Sequence, residues 1–428
     1  MTTNPPRSRF LYAAGLACAI RLGLYYLSPE LTQTLGQRIE FVTPLTSFKR
    51  MTEGLHLHAA GFDPYDGNLY FQPALYLPLF QALRTLPPVF TMVFFMAMDV
   101  LVAYQLVWIA ANKFRRTSTR VVGDKTPADP SCNFPEDINL PLQPESLAFF
   151  YLLNPLTILS CLAQSTLIIN SFAIVTALRR ALEGRLIQSM FWIAVASYIS
   201  FYPIMLLFPI GVLLINNQPN YKPILMRSLG AFAGSLVGLL SLSYMVVGSF
   251  ACLTSPLNVI LLVTDLTPNL GVYWYFFIEM FDHFRSFFLI AFQMHTFIFA
   301  IPVTIRFKNQ PLFAAIIILG IMTLFKSYPS IGDMSLLLGL IPLYHELFKY
   351  MRYGFVLINA MIYALVLAPL FWHLWIYQGS GNANFFYAAT LVYAASQILL
   401  VVDLTKAQIK RELNRQYPAV RDKLVVQE

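Results

Sequence analysis

The sequence predicts an all-α protein that crosses a membrane many times. Two observations carry this prediction and a third checks it. Hydrophobic residues make up 57% of the 428-residue chain and charged residues only 12%, with a mean hydropathy of +0.61. A water-soluble chain of this size needs far more charge to cover its surface. Apolar runs recur from one end to the other with short polar connectors between them, which is the pattern of successive bilayer spans. Lys and Arg gather in alternate connectors, as the positive-inside rule requires. The net charge of +8 therefore sets orientation and gives no reason to expect nucleic acid. No long soluble segment interrupts the runs, so residues 1–428 are expected to form a single multi-spanning membrane domain. Cys18, Cys132, Cys161 and Cys252 are scattered without a Cys-x-x-Cys pair, which leaves no readable metal or disulfide framework. There is no Asn-x-Ser/Thr sequon.

Arg7 and Arg9 precede the apolar run Phe10 to Leu27, which has no small-residue cleavage site behind it and predicts a signal anchor. Arg21 lies inside that run and is expected to snorkel to the nearer interface. Residues 28–88 form a long polar-aromatic loop. Within it Gln72 to Leu86 is apolar but short, and is assigned to an interfacial or half-inserted helix. Pro88 to Ala111 is the second full span. The segment Lys113 to Glu145, with Arg115, Arg116, Arg120 and Lys125, is the most hydrophilic of the chain and is assigned to the cytosol. Spans are then expected at 146–163, 166–182, 187–200, 202–216, 224–250, 284–305, 310–326, 333–348, 353–376 and 385–404. That gives about twelve spans with both termini cytosolic. The pair 187–216 is too short for two complete crossings of a core about 30 Å thick. Tyr202-Pro203 is expected to break it into short or tilted helices around a protein-lined recess. Arg179, Arg180, Arg185, Lys222, Arg227, Arg306, Lys308, Lys349, Arg352 and the tail Lys406 to Lys423 all fall on one side under this alternation.

The opposite side receives the loops 28–88 and 251–283, the turn near Gln164, and the segments 327–332 and 378–384. Acidic and amide groups collect there: Glu40, Asp63, Asp66, Asp265, Asn269, Glu279, Asp282, Asp333, Asn382 and Asn384, with Arg50 and Lys326 as the cations. The stretch Asp265 to His283 is the centre of this side. Thr267 followed by Pro268 is assigned as N-cap and first helical residue. A helix wound from about Tyr273 puts Trp274, Phe277, Ile278, Phe281 and Phe284 on one face and Tyr275, Glu279, Asp282 and His283 on the other. An aromatic face under an acidic one suits a helix lying in a membrane interface.

Other motifs point more weakly to chemistry. His56 and His58 with Asp63 and Asp66 nearby suggest a metal, but residues two apart on a helix do not share a face, and no metal is expected. Asp63-Pro-Tyr-Asp66 has the composition of a turn. His373 belongs to an aromatic belt at a span end. Lys326, with Tyr328 and Asp333, has two readings that the sequence leaves open, an ion pair with Asp333 or a phosphate site. Asn154-Pro155, with Ser160, Gln164 and Asn170, suits hydrogen bonding between helices in the membrane. Ser-His-Asp and Cys-His arrangements with recognisable local sequence, Gly-rich phosphate loops and paired aspartates are all missing, so no catalytic machine is visible.

Five blocks carry a resemblance. They are Ser47-Phe-Lys-Arg50, Tyr151 to Cys161, Asp265 to Phe277, Phe325 to Asp333, and Trp372 to Tyr377 with Asn382 to Phe386. Together, from about residue 10 to 404, the chain resembles the PIG-U family, subunits of the endoplasmic-reticulum transamidase that attaches glycosylphosphatidylinositol (GPI) anchors to proteins. The first loop is also similar to that of GT-C mannosyltransferases, through Gly61-Phe-Asp-Pro-Tyr65 and Gln72-Pro73, which implies a GT-C-like bundle with lumenal interfacial helices. Where those enzymes carry a paired acidic motif, this chain reads Glu40-Phe-Val-Thr-Pro-Leu-Thr-Ser-Phe-Lys49, so the scaffold is expected to bind and not to transfer sugar. The resemblance implies a non-catalytic subunit without cofactor, whose partners include a cysteine-protease-like catalytic chain and the GPI glycolipid. Asp265, Asn269, Glu279, Asp282, His283, Lys326, Tyr328, Asn382 and Asn384 are the expected contacts of that lipid. The rival reading is a mannosyltransferase using dolichol-phosphate sugar, with Glu40, Asp63 or Asp66 as base. A third is a scaffold that only assembles the complex.

Overall fold

The structure, a computed structural model, describes residues 7–123, 142–215 and 220–417. Lys125, Cys132 and the tail beyond Tyr417 lie outside the described residues, as do the side chains of Arg7, Arg115, Arg116 and Arg120. Every regular element among the described residues is helical. Among the described residues, seven stretches combine the length and apolarity needed to cross a membrane: Ser8–Leu27, Pro88–Phe114, Tyr221–Val247, Asp282–Arg306, Ile331–Tyr350, Gly354–Tyr377 and Ala383–Gln416. Four more apolar stretches are shorter: Leu186–Ser200, Tyr202–Ile215, Ala251–Leu262 and Pro311–Phe325.

In chain order, α1 (Arg7–Leu27) leads into a loop that holds α2 (Pro29–Leu35), α3 (Phe48–Ala59) and α4 (Tyr76–Arg84). The short helix expected from Gln72 thus starts four residues later, because Gln72 is buried and donates its side-chain amide to the carbonyl of Ser47 at 2.6 Å. After α5 (Pro88–Gly123) the chain re-enters as α6 (Ser146–Leu152) and α7 (Pro155–Leu162). These are two helices and not the single span expected. Proline disfavours helical conformation in the residue before it. Asn154 is accordingly extended and caps α7, its side chain accepting from Leu156 N–H at 3.0 Å. The interhelical role expected of Asn154 is thus replaced by a local one.

Next come α8 (Leu167–Leu182) and α9 (Leu186–Ser200). The break expected at Tyr202-Pro203 is present: Phe201 has φ of +61°, a short 3₁₀ turn covers Tyr202–Leu206, and α10 (Leu207–Ile215) follows. A bulky residue in the left-handed region is strained, and tight packing around Tyr202 holds it there. The remaining helices are α11 (Tyr221–Val247), α12 (Ala251–Leu262), α13 (Tyr273–Glu279), α14 (Asp282–Ile298), α15 (Ala300–Arg306), α16 (Pro311–Phe325), α17 (Ile331–Leu340), α18 (Gly354–Trp372) and α19 (Ala383–Gln416).

Burial sorts these helices. In α16 every residue from Leu312 to Leu324 is buried, as expected for a helix that is apolar on all sides. A Cβ on Gly320 would lie 2.7 Å from Val401, so the glycine is what lets α16 lie against α19. By contrast α11, α14 and α18 turn large side chains outward, among them Met226, Met245, Phe287, Met294, Phe355 and Tyr363. These three helices form the apolar perimeter.

Arg21 corrects the snorkelling expectation. Its side chain is 1% exposed and meets Asp99 of α5 at 3.2 Å, with further bonds to the carbonyls of Leu152 (3.0 Å) and Ala17 (3.2 Å). An ionised group this far from water has to be paired, and Asp99 is the partner that the run 88–111 concealed.

Hydrogen bonds collect the loops at the two ends of the bundle. At one end Thr166 donates to the carbonyl of Thr46, Ile331 to that of Glu40, Arg38 to that of Pro369, and Arg50 pairs with Asp265. At the other end Glu346 lies between Lys113 and Arg411, Arg306 pairs with Glu412, and Asp403 accepts from the backbone of Arg352 and Tyr353.

Candidate lipid-headgroup surface

The site begins where α12 stops. Val263 takes a left-handed conformation (φ of +50°) and ends the helix. Gln293 of α14 donates to the freed carbonyls of Ile260 (3.1 Å) and Leu261 (3.3 Å), and Arg285 to those of Val263 (2.9 Å) and Leu262 (3.3 Å). The Ser327 hydroxyl adds a bond to Ile260 at 2.6 Å and is itself tied to Tyr202 at 2.8 Å. Every open carbonyl of that helix end needs such a partner where water is scarce.

From there the chain runs extended to α13. Asp265 accepts from the backbone N–H of Thr267 at 2.9 Å and from the Thr267 hydroxyl, while its other oxygen pairs with Arg50 at 2.8 Å. Thr267-Pro268 therefore closes an Asx turn and starts no helix, contrary to expectation, because Asp265 supplies the acceptor first. Burial pushes the Asp265 carboxyl upward, but the bonds from Thr267 and the charge of Arg50 outweigh it and hold the group below the usual carboxylate range. Asn269 repeats the device: its Oδ1 accepts from Gly271 N–H at 2.7 Å, its Nδ2 donates to the Thr267 carbonyl at 3.2 Å, and it is 1% exposed.

The 326–333 break packs beneath this segment. Tyr328 donates its hydroxyl to the Asp265 carbonyl at 2.7 Å, and a Cβ on Gly271 would strike Pro329 at 2.7 Å. Lys326 pairs with Asp333 at 2.5 Å, and Asp333 also closes a capping box with Ser330 at the start of α17. Of the two readings left open for Lys326, the ion pair is the one present.

Helix α13 is seven residues long. Tyr273, Trp274 and Phe277 point inward, Trp274 against Trp375 and Phe386, and Tyr273 onto α14 through its hydroxyl. The long apolar face expected through Phe284 does not form, because Met280 is extended and a new helix starts at Asp282, leaving Ile278, Phe281 and Phe284 exposed. The polar residues of the stretch lie at the surface. Glu279, Asp282 and His283 are exposed at the far end, with the His283 ring 4.0 Å from that of Phe284. At the near end the Tyr275 hydroxyl donates to exposed Asn384, and the Tyr275 ring lies 4.5 Å from that of Tyr387. Asn382 caps α19 by accepting from the N–H groups of Asn384 (3.1 Å) and Phe385 (3.4 Å).

The nine expected contacts thus separate into two groups. Asp265, Asn269 and Tyr328 come together as an internally bonded support, and Lys326 next to Tyr328 is held by Asp333. Glu279, Asp282, His283, Asn382 and Asn384 are exposed around α13, with the side-chain oxygens of Asn382 and Asn384 already accepting hydrogen bonds. Two clefts flank the Arg50–Asp265 pair, one of about 640 Å³ that Asp265 lines and one of about 370 Å³ that Arg50 lines. Sequence reasoning missed Arg285 and Gln293, whose isolated polarity within 284–305 was the available signal. It also missed Asn68 and Asn258, which line the larger cleft.

Glu40, Asp63 and Asp66 line neither cleft. Glu40 is 2% exposed, 3.5 Å from Arg38, and its carboxylate oxygens accept no hydrogen bond among the described residues; burial raises its pKa above the ordinary value. Asp63 accepts from Tyr65 N–H at 2.9 Å and forms the turn expected of it. His56 and His58 sit in the last turn of α3, and no group of three His, Cys, Asp or Glu side chains suited to a metal occurs among the described residues. His373 starts a π-turn and contacts Tyr377.

Comparison with known proteins gives a consistent result. Residues 15–393 match the family model described as GPI transamidase subunit PIG-U. The chain is 37% identical over 415 residues to the human GPI-anchor transamidase component PIGU, covering 93% of each. It is 36% identical over 410 residues to the GPI transamidase component GAB1 of Saccharomyces cerevisiae, covering 94% of this chain and 95% of the relative. The GAB1 homolog of Schizosaccharomyces pombe is 33% identical over 404 residues, covering 94% of each.

Proposed function

Because the chain belongs to the PIG-U family, we propose that it is a non-catalytic subunit of a GPI-anchor transamidase. In this reading it lies in the endoplasmic-reticulum membrane with both termini cytosolic. It binds the GPI lipid and positions it for attachment to proteins by a catalytic cysteine on another chain. The observation that carries the reading is the surface around α13. Exposed Glu279, Asp282, His283 and Asn384 surround a short aromatic helix next to the apolar perimeter, with a rigid bonded support beneath.

The division of labour follows from the chemistry. Attack on an acyl-enzyme needs an amine held close and unprotonated, and a long amphiphile fixed at the interface. Positioning alone supplies most of what a partner subunit has to offer such a step. The carboxylates and amides are acceptors and donors for glycan hydroxyls and for the N–H groups of a neutral amine. The exposed Phe281, Phe284 and Phe287 extend the surface toward acyl chains. Lys326 and Asn269, both buried and paired, act as support and not as contacts.

GPI photo-crosslinking in the assembled complex tests the proposal. His283→Ala and Asn384→Ala should each cut labelling by about tenfold, the effect of losing a bond worth roughly 1.4 kcal/mol, with complex yield unchanged. Asp265→Ala and Asn269→Ala should lower labelling by loosening the support. Unchanged labelling across all four variants, with the complex intact, would sink the site assignment.

A further inference from the structure

The larger of the two clefts has a chemistry of its own. Its lining carries one ionised group, Asp265, which is already paired with Arg50. The rest of the polar lining is neutral: Asn68, Thr254, Ser255, Asn258 and Thr264. Thr254 bonds back to its own helix at 3.3 Å, while Asn68, Ser255, Asn258 and Thr264 make no side-chain hydrogen bond among the described residues. The spacing within α12 explains their convergence, since positions 254, 255 and 258 of one helix share a face. Asn68 is brought opposite by a left-handed backbone (φ of +56°) next to Gly67. The floor is Tyr65, Phe71, Val259 and Leu266. Tyr65 and Phe71 are fixed, the first by its hydroxyl bond to the Gln72 carbonyl at 2.7 Å and the second beneath the Arg50 guanidinium.

A cleft of about 640 Å³ lies within the size range of ligand sites, and the lining narrows the class. An apolar chain would leave four amide and hydroxyl groups facing it without partners, which is unfavourable. A phosphate would meet Asp265 and find no free cation among the lining residues. A neutral polyol satisfies both conditions. Its hydroxyls are paired donors and acceptors, as amide and hydroxyl side chains require, and its C–H faces suit an aromatic and aliphatic floor. We infer that the cleft between α12 and the turn at Asn68 is a binding site for a neutral oligosaccharide chain, held by Asn68, Ser255, Asn258 and Thr264. The inference deepens the functional proposal, for which the glycan would be that of the anchoring lipid. A glycan carried on a protein has the same chemistry, so the experiment has to separate the two sources.

The assembled complex, with this chain at full length, is mixed with soluble linear mannotriose, and saturation transfer from protein to sugar is followed by NMR. Transfer should be strong in the native complex and fall about tenfold in Asn68→Ala/Asn258→Ala, the scale of one or two lost hydrogen bonds. Asn258→Trp, which projects an indole into the cleft, should abolish it, and complex yield should stay the same for both. No transfer to the native complex, or equal transfer in the variants, overturns the inference. Co-purifying GPI, quantified by mass spectrometry in the same samples, identifies the source. GPI lost with the transfer supports a lipid-borne glycan. Transfer lost in the variants while GPI is retained, with transfer to the native complex rising once protein-linked glycans are removed by an endoglycosidase, keeps the oligosaccharide cleft but contradicts its assignment to the lipid.

Discussion

Two buried carboxylates at the residue scale behave in opposite ways. Asp99 is paired with Arg21 inside the bundle. Removing one partner leaves a bare charge, so Arg21→Met or Asp99→Leu alone should destabilise by about 3–5 kcal/mol, whereas the double replacement should recover most of the loss. Thermal unfolding of the three variants in one detergent measures the coupling; additive losses would show that the pair does not act as a unit. Among the described residues Glu40 has Arg38 at 3.5 Å as its ion-pair partner, and its carboxylate oxygens accept no hydrogen bond. Its folded pKa is raised by burial, so the folded state holds its proton more tightly and stability falls as pH rises from the ordinary carboxyl value through the raised one. Glu40→Gln should therefore unfold at higher temperature than the native protein at pH 7.4, with the difference vanishing at acidic pH. For Asp265 the sign reverses: its pKa is depressed, so its pairing stabilises above the ordinary value and is lost as pH falls through the depressed one. None of these signs was legible in the sequence, because local patterns show which residues are polar and not which polar residues meet. Arg21 and Asp99 are 78 positions apart.

At the scale of elements, sequence periodicity was a reliable guide to where helices lie and a weaker one to where they stop. The interruption at Tyr202-Pro203 was readable because proline restricts both itself and its predecessor. The same rule applied at Asn154-Pro155, where an unbroken apolar run on both sides hid it. At α13 the aromatic run suggested a longer helix than forms, since nothing local announces that Met280 turns extended or that Asp265 outcompetes Thr267 for a capping role. Glycine makes this region testable. A methyl group on Gly271 would meet Asn269 Oδ1 and Pro329 at 2.7 Å. Gly271→Ala should thus cost about 1–3 kcal/mol through overpacking and displace the turn over Tyr328. Lost GPI labelling at retained complex yield is the expected outcome, and normal labelling would mean that the support tolerates movement. Asn382→Ala removes the α19 cap and should cost about 1 kcal/mol, read as earlier proteolysis of the 378–384 turn.

For the molecule as a whole, the candidate surface is assembled from four distant parts of the chain: the first loop, the 263–285 segment, the 326–333 break and the turn before α19. The acidic and amide residues of these parts were readable as one side by alternation of spans, but their division into buried support and open rim was not. Arg50 is the tie between the first loop and the 263–272 segment. Arg50→Gln should therefore impair both clefts together, lowering sugar transfer and GPI labelling in parallel; an effect on one alone would show that they are mechanically separate.

The Arg21–Asp99 pair has a further consequence, which concerns time and not structure. Helix α1 leaves the ribosome carrying Arg21, and the counter-charge at Asp99 emerges 78 residues later. During that interval the helix carries an uncompensated cation into the bilayer. It has to linger at the translocation channel, or be held by an insertion factor, until the fifth helix arrives. Nascent chains stalled before Asp99 should therefore remain extractable from the membrane, and chains stalled beyond it should not. A buried contact in the finished protein would thus act as a checkpoint on the order in which it is built.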